Sequence, residues 1–128
     1  MPGDKSDFLS SALLQHVFDI SSYTAPTNIY IAAFVNGVEV SGDGYERVEV
    51  ANGSTEWSES GQEVTNDNEI AFPEATGSWG TPDGIGLFDA STGGNELYFD
   101  PEGVDEPKEI TAGDTLKIAA GQLKIQES

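Results

Sequence analysis

The chain has no cysteine, and of its 128 residues only five are Lys or Arg and one is His. Without cysteine there is no disulfide framework, no thiolate nucleophile and no Cys-ligated zinc or iron–sulfur cluster. The cations Lys5, Arg47, Lys108, Lys117 and Lys124 are too few and too scattered to neutralise a run of phosphates. That argues against nucleic acid and anionic membranes as partners. Long apolar runs are missing too. The longest, Ile29 to Val35, is about seven residues against the ~20 that span a bilayer, and no basic segment followed by an apolar stretch marks a secretory leader, so membrane insertion is not expected.

What the chain has in excess is acid. There are 23 Asp and Glu residues, giving a formal net charge of −18 and an isoelectric point near 4.1. Such acidity can accompany disorder, but here hydrophobic residues make up 37% of the chain and charged ones 22%. The apolar residues fall in short periodic runs between Gly-rich turns, as folded β proteins require. The length predicts one domain over 1–128, burying roughly two thirds of its unfolded surface. Dense like charge repels at ordinary salt and is screened in molar salt, where the Debye length falls to ~3 Å. The charge therefore predicts a high-salt habitat.

Helical spacing is confined to the N-terminus. Phe8, Leu9, Ala12, Leu13, His16, Val17 and Ile20 recur at that period behind Ser6, a suitable N-cap, and predict a helix over 7–20. From residue 28 to 126 the period becomes two. Predicted strands are Ile29–Phe34, apolar on both faces, then Tyr45–Val50, Thr55–Ser58 and Glu69–Phe72. Gly84–Asp89 and Glu96–Asp100 flank a loop tolerant of positive φ and form one predicted hairpin. Leu116 with Ile118 and Leu123 with Ile125 flank Ala120-Gly121 and form a second, with Lys117 and Lys124 pointing outward. The expected fold is mainly β: an antiparallel β-sandwich or small barrel of about seven or eight strands with one N-terminal α-helix. The acidic stretch Asp100 to Glu109 reads as an exposed loop.

Catalytic constellations are sparse. His16 is the one imidazole, and it lies on the apolar helix stripe, where a packed or interface histidine is expected. Carboxylate pairs could in principle serve a glycosidase, but no aromatic-lined cleft is evident in the pattern. For metal, Asp83, Asp89, Asp100 and Asp105 are the candidates, although no twelve-residue EF-hand spacing is present and no dedicated site or cofactor is expected. The glycines of Thr76 to Asp89 lack the phosphate-loop pattern and read as turns and bulges, with Trp79 as a core plug beside Phe72 and Phe88.

These segments carry a likeness. TAPTNIYIAAF (24–34), EVSGDGYERV (39–48), AFPEATGSWGT (71–81), GIGLFDASTGGNELYF (84–99) and ITAGDTLKIAAGQLKI (110–125), behind the apolar helix, resemble the phage tail fibre protein family, small virion structural proteins of tailed viruses of bacteria and archaea. The resemblance spans nearly the whole chain and implies a β-rich, non-enzymatic virion component on the tail or capsid surface. It also implies assembly into homo-oligomers alongside other virion proteins; closed cyclic symmetry is the usual solution for repeated copies, with a trimer expected first and a pentamer or ring next, and exposed loops on a rigid scaffold leave host attachment open. Acidic residues at Asp43, Glu46, Glu74, Asp83 and Glu96 depart from the family's usual look and, with the salt argument, point to a halophilic archaeal host. Phe8, Leu9, Leu13, Val17, Ile29, Ile31 and Phe34 are the candidate contacts between copies. The rival expectation is a calcium-dependent carbohydrate-binding module or a carboxylate-pair glycoside hydrolase.

Overall fold

A computed structural model describes residues 4–104 and 106–126. The first strand, β1 (Asp4–Lys5), leads into the helix α1 (Asp7–Val17), which opens as its sequence predicts. Ser6 holds an extended backbone, and its hydroxyl accepts the Leu9 N–H at 3.1 Å. The helix stops three residues earlier than the apolar spacing implies. Asp19 enters the left-handed region (φ 57), and the amides of Ile20 and Ser21 turn back onto the Gln15 carbonyl, closing the end.

Ten further strands follow: β2 (Asn28–Val35), β3 (Val38–Glu39), β4 (Val48–Ala51), β5 (Trp57–Ser60), β6 (Glu63–Asn66), β7 (Ile70–Ala71), β8 (Gly84–Phe88), β9 (Glu96–Asp100), β10 (Lys117–Ile118) and β11 (Lys124–Gln126). All pairings are antiparallel. The main sheet runs β1-β9-β8-β2-β3, with β4 also paired to β2; β11-β6-β5 and β10-β7 form two smaller sheets, and no barrel closes. Strands β1, β3 and β6 are absent from the sequence-based expectation. The first two span only two residues each, and β6 carries a single large apolar residue, Val64, so none shows an alternation to read.

Strand β2 explains its own doubly apolar pattern. Ile29, Ile31 and Ala33 enter the main core, which joins all three sheets and the helix through residues such as Leu9, Ile85, Leu97, Ile118 and Ile125. Ala32 and Phe34 point to the opposite face, into a small aromatic cluster with Phe88, Tyr30 and Phe99. Gly86 lies beneath that cluster. A Cβ there would sit 2.7 Å from Phe34 Cε1, so the ring's seat requires glycine.

The β8–β9 hairpin forms as predicted, with a register shift between Leu87 and Phe88. The second predicted hairpin does not form. Strand β10 pairs with β7 and β11 with β6, so the two arms belong to different sheets although Leu116, Ile118, Leu123 and Ile125 are all buried. Asn66 is wedged between them, donating to Ala119 O (3.1 Å) and accepting the Leu123 N–H (3.0 Å), which replaces cross-strand bonding. Lys117 and Lys124 do point outward. The predicted strand from Tyr45 begins only at Val48. Trp79 is buried beside Phe72 as expected, but its other ring neighbour is Tyr45, since Phe88 faces the opposite side of the main sheet. The Asp100–Glu109 stretch is mostly exposed, except that Asp100 and Gly103 are buried, Gly103 being packed against Ile85.

Candidate functional site

The most tightly organised polar group on the molecule centres on Arg47. Its side chain is only 6% exposed, and its guanidinium lies 3.7 Å from the Phe88 ring centroid. Nε and Nη2 fork onto Glu39 at 2.8 and 2.9 Å, while Nη1 donates to the carbonyls of Ala90 (2.8 Å) and Gly93 (2.9 Å). Glu39 also accepts the Tyr45 hydroxyl at 2.7 Å, and that hydroxyl accepts the Ala33 N–H at 3.0 Å. The Arg47 fork holds the Glu39 carboxyl below its ordinary range. Burial pushes the Tyr45 phenol up, and its bond to Glu39 pushes the same way. Glu96 is raised, mainly by burial and then by the Glu39 charge.

This node fixes a loop. Residues 89–95 are tied at their base by Arg47 and across their neck by Asp89, which accepts the Asn95 backbone N–H (2.7 Å) and side-chain amide (3.1 Å). The tip, Ser91 to Asn95, stands exposed. A groove of about 460 Å³ separates this loop from residues 41–46, where Gly42, Asp43 and Gly44 all take positive φ. The groove offers hydroxyls, amides and carbonyls, which can position a ligand but supply no activated nucleophile.

A second concavity, about 330 Å³, lies over the main core between Trp57, Tyr98, Leu87 and Asn52. The Trp57 indole N–H at its edge is buried without a hydrogen-bond partner. The structure also redistributes the residues singled out from sequence. Leu9, Ile29, Ile31 and Phe34 are covered by the chain itself, so β2 is flanked and capped within one molecule and has no free apolar face for a neighbour. Leu13 is half-buried. Phe8 and Val17 remain exposed, at 43% and 72%; Val17 lies beside Leu14 (61%) and Phe18 (70%) at helical spacing toward the end of α1, with Ile20 (75%) exposed at its exit.

His16 is exposed and not packed; its Nδ1 accepts the Tyr23 N–H at 3.1 Å, pinning the chain beyond the helix. Asp83 accepts the Asn36 N–H, Asp89 closes its loop and Asp100 accepts the Glu102 N–H, so each serves a turn. Asp105 lies outside the described residues. Among the described residues, no three His, Cys, Asp or Glu side chains converge as metal ligands would. The residues that sequence reasoning missed are Arg47 and Asn66. The single arginine of a chain with 23 acids was the available signal for the first.

The family model described as Podophage GP4 fiber I protein gp80 matches residues 4–126. The chain belongs to this family. It is therefore a structural fibre protein of a phage virion, carried on the tail, and the family is not one of enzymes. A search of the curated proteins gives no match. A fibre family accords with the arrangement described here: an antiparallel scaffold, loops fixed by hydrogen bonds, and an apolar helix surface that the chain itself leaves uncovered.

Proposed function

We propose that this fibre protein acts as one folded unit that assembles into a closed homo-oligomer, a trimer in the first instance. Copies meet at the apolar surface of α1 and its exit, while the loops at 41–46 and 90–95 face outward toward the host. The observation carrying this reading is the exposure of Leu14, Val17, Phe18 and Ile20, each more than 60% open to solvent on a chain of net charge −18. Contiguous apolar surface on a soluble chain marks an interaction site. Repeated copies of one chain usually close by rotational symmetry.

The acidic coat supports work at high ionic strength and a salt-loving host. Its charges lie mainly in turns and on outward positions, where hydration in concentrated salt favours solubility. The test of assembly is molar mass by analytical ultracentrifugation in dilute and molar salt, for the wild type and a Val17→Asp/Phe18→Asp variant. A symmetric oligomer that the variant reduces to monomer is expected; a wild type monomeric in all conditions overturns the reading.

A further inference from the structure

Three of the five cations, Lys108, Lys117 and Lys124, lie in the last quarter of the sequence. Among the described residues none of the three has a carboxylate within 4.0 Å, although the chain carries 23 acids. Lys108 draws on Asp114 only from beyond ion-pair distance. Lys108 and Lys117 line one groove of about 490 Å³, whose apolar floor includes Leu116 and Ile118 and whose rim includes Val104, Gln122 and Glu106. Both lysines are exposed, and among the described residues Glu106 is the one acid on the lining. The groove thus gathers two lysines beside a single described acid on a strongly anionic molecule.

The electrostatics select its occupant. Two copies of net charge −18 repel, and charge favours close approach where positive surface on one meets negative surface on the other. The Lys108–Lys117 groove is a place where one copy can present two unpaired cations together, and every copy carries acid in abundance to fill it. We propose that this groove docks exposed carboxylates of a second copy of this chain. The contact is heterologous: groove on one copy, acidic surface on the next. Interfaces of that kind close into rings, which suits cyclic assembly. The proposal rests on the homo-oligomer reading above and adds a polar contact to the apolar one on α1.

The test compares Lys117→Glu and Lys108→Glu/Lys117→Glu with Lys124→Glu, which lies outside the groove and changes net charge as much as the first. Self-association is measured by sedimentation near 0.1 M salt. Zero-length carbodiimide cross-linking of mixed isotope-labelled and unlabelled wild type, and of intact particles, then maps the lysine partners. The double variant is expected to raise the dissociation constant about 100-fold or more, Lys124→Glu only a few-fold, and cross-links between copies should involve Lys108 or Lys117. A monomeric wild type overturns the oligomer reading and this contact with it. An oligomer that the groove variants leave equally tight, with no cross-link at either lysine, overturns this contact alone. Cross-links that join the lysines to a different virion protein and never to a second copy also overturn it.

Discussion

The side-chain oxygen of Asn66 accepts the backbone N–H of Leu123 at 3.0 Å, across 57 residues of chain and in the buried interior. The amide end of the same side chain donates to Asn68 O and Ala119 O, and the Asn66 carbonyl accepts the Gly121 N–H. One residue thereby anchors the turn 119–123 between two sheets. Asn66→Leu strands a buried donor and acceptor and is expected to cost about 3 kcal/mol in urea unfolding. Asn66→Asp keeps the acceptor but buries a charge and should be at least as damaging at pH 7. A loss below about 1 kcal/mol for Asn66→Leu would show that water takes over these partners.

The Arg47–Glu39 fork sets an acid limit. Glu39 has its carboxyl lowered by Arg47, so the folded state releases that proton more readily than the unfolded chain. The resulting stability is fully present above the unfolded carboxyl value near ~4.3 and is lost as pH falls through the lower folded value. Glu96, raised by burial, works in the opposite direction and in a higher window: its contribution is present below the unfolded value and is lost as pH rises through the raised folded value. Melting temperature against pH should lose its Glu39-dependent acid slope in Glu39→Gln. An unchanged slope would assign acid sensitivity to other carboxylates.

Arg47→Lys keeps the charge but loses the planar fork and the paired donations to Ala90 and Gly93. It should cost about 2 kcal/mol and raise hydrogen exchange at the Asn95 amide, whose loop it releases. Exchange at Asn95 equal to wild type would mean that Asp89 holds the loop alone.

Gly86→Ala places a methyl 2.7 Å from the Phe34 ring and 3.1 Å from Phe88. Overpacking of this kind costs about 1–3 kcal/mol. Val38→Ser, at a position 70% exposed, is the control and should stay within about 0.5 kcal/mol of wild type in denaturant titrations.

Leu9→Ala and Val17→Ser separate the two sides of α1. The first empties a core site and should lower stability by about 2–5 kcal/mol. The second should leave the stability of the monomer unchanged while weakening self-association in sedimentation. A Val17→Ser chain that assembles as tightly as wild type would remove α1 from the contact.

The mainly β architecture, the helix start at Ser6 and the β8–β9 hairpin were legible in sequence because each rests on local chemistry: a cap, an alternation, a turn tolerant of positive φ. Strand partnership was not. The Leu116–Ile125 stretch has a hairpin's alternation, yet Asn66, distant in sequence, decides that its arms separate. Apolar side chains likewise show that a residue is to be covered but not by what; Ile31 and Val17 look alike in sequence and end on opposite sides of that question. The Arg47 node was hidden for a related reason, since its partners Glu39, Ala90 and Gly93 meet only after three strands have paired.

The far face of the main sheet is roofed by a guanidinium lying on Phe88, not by a second sheet. Its cover therefore depends on a protonation state, as the covering of the main core does not. Acid that protonates Glu39 removes the charge that holds Arg47 in place, and the roof over Phe34, Phe88 and Phe99 loosens with it. Loss of the Glu39 charge is accordingly expected to open this far face before the main core, whose buried side chains carry no charge.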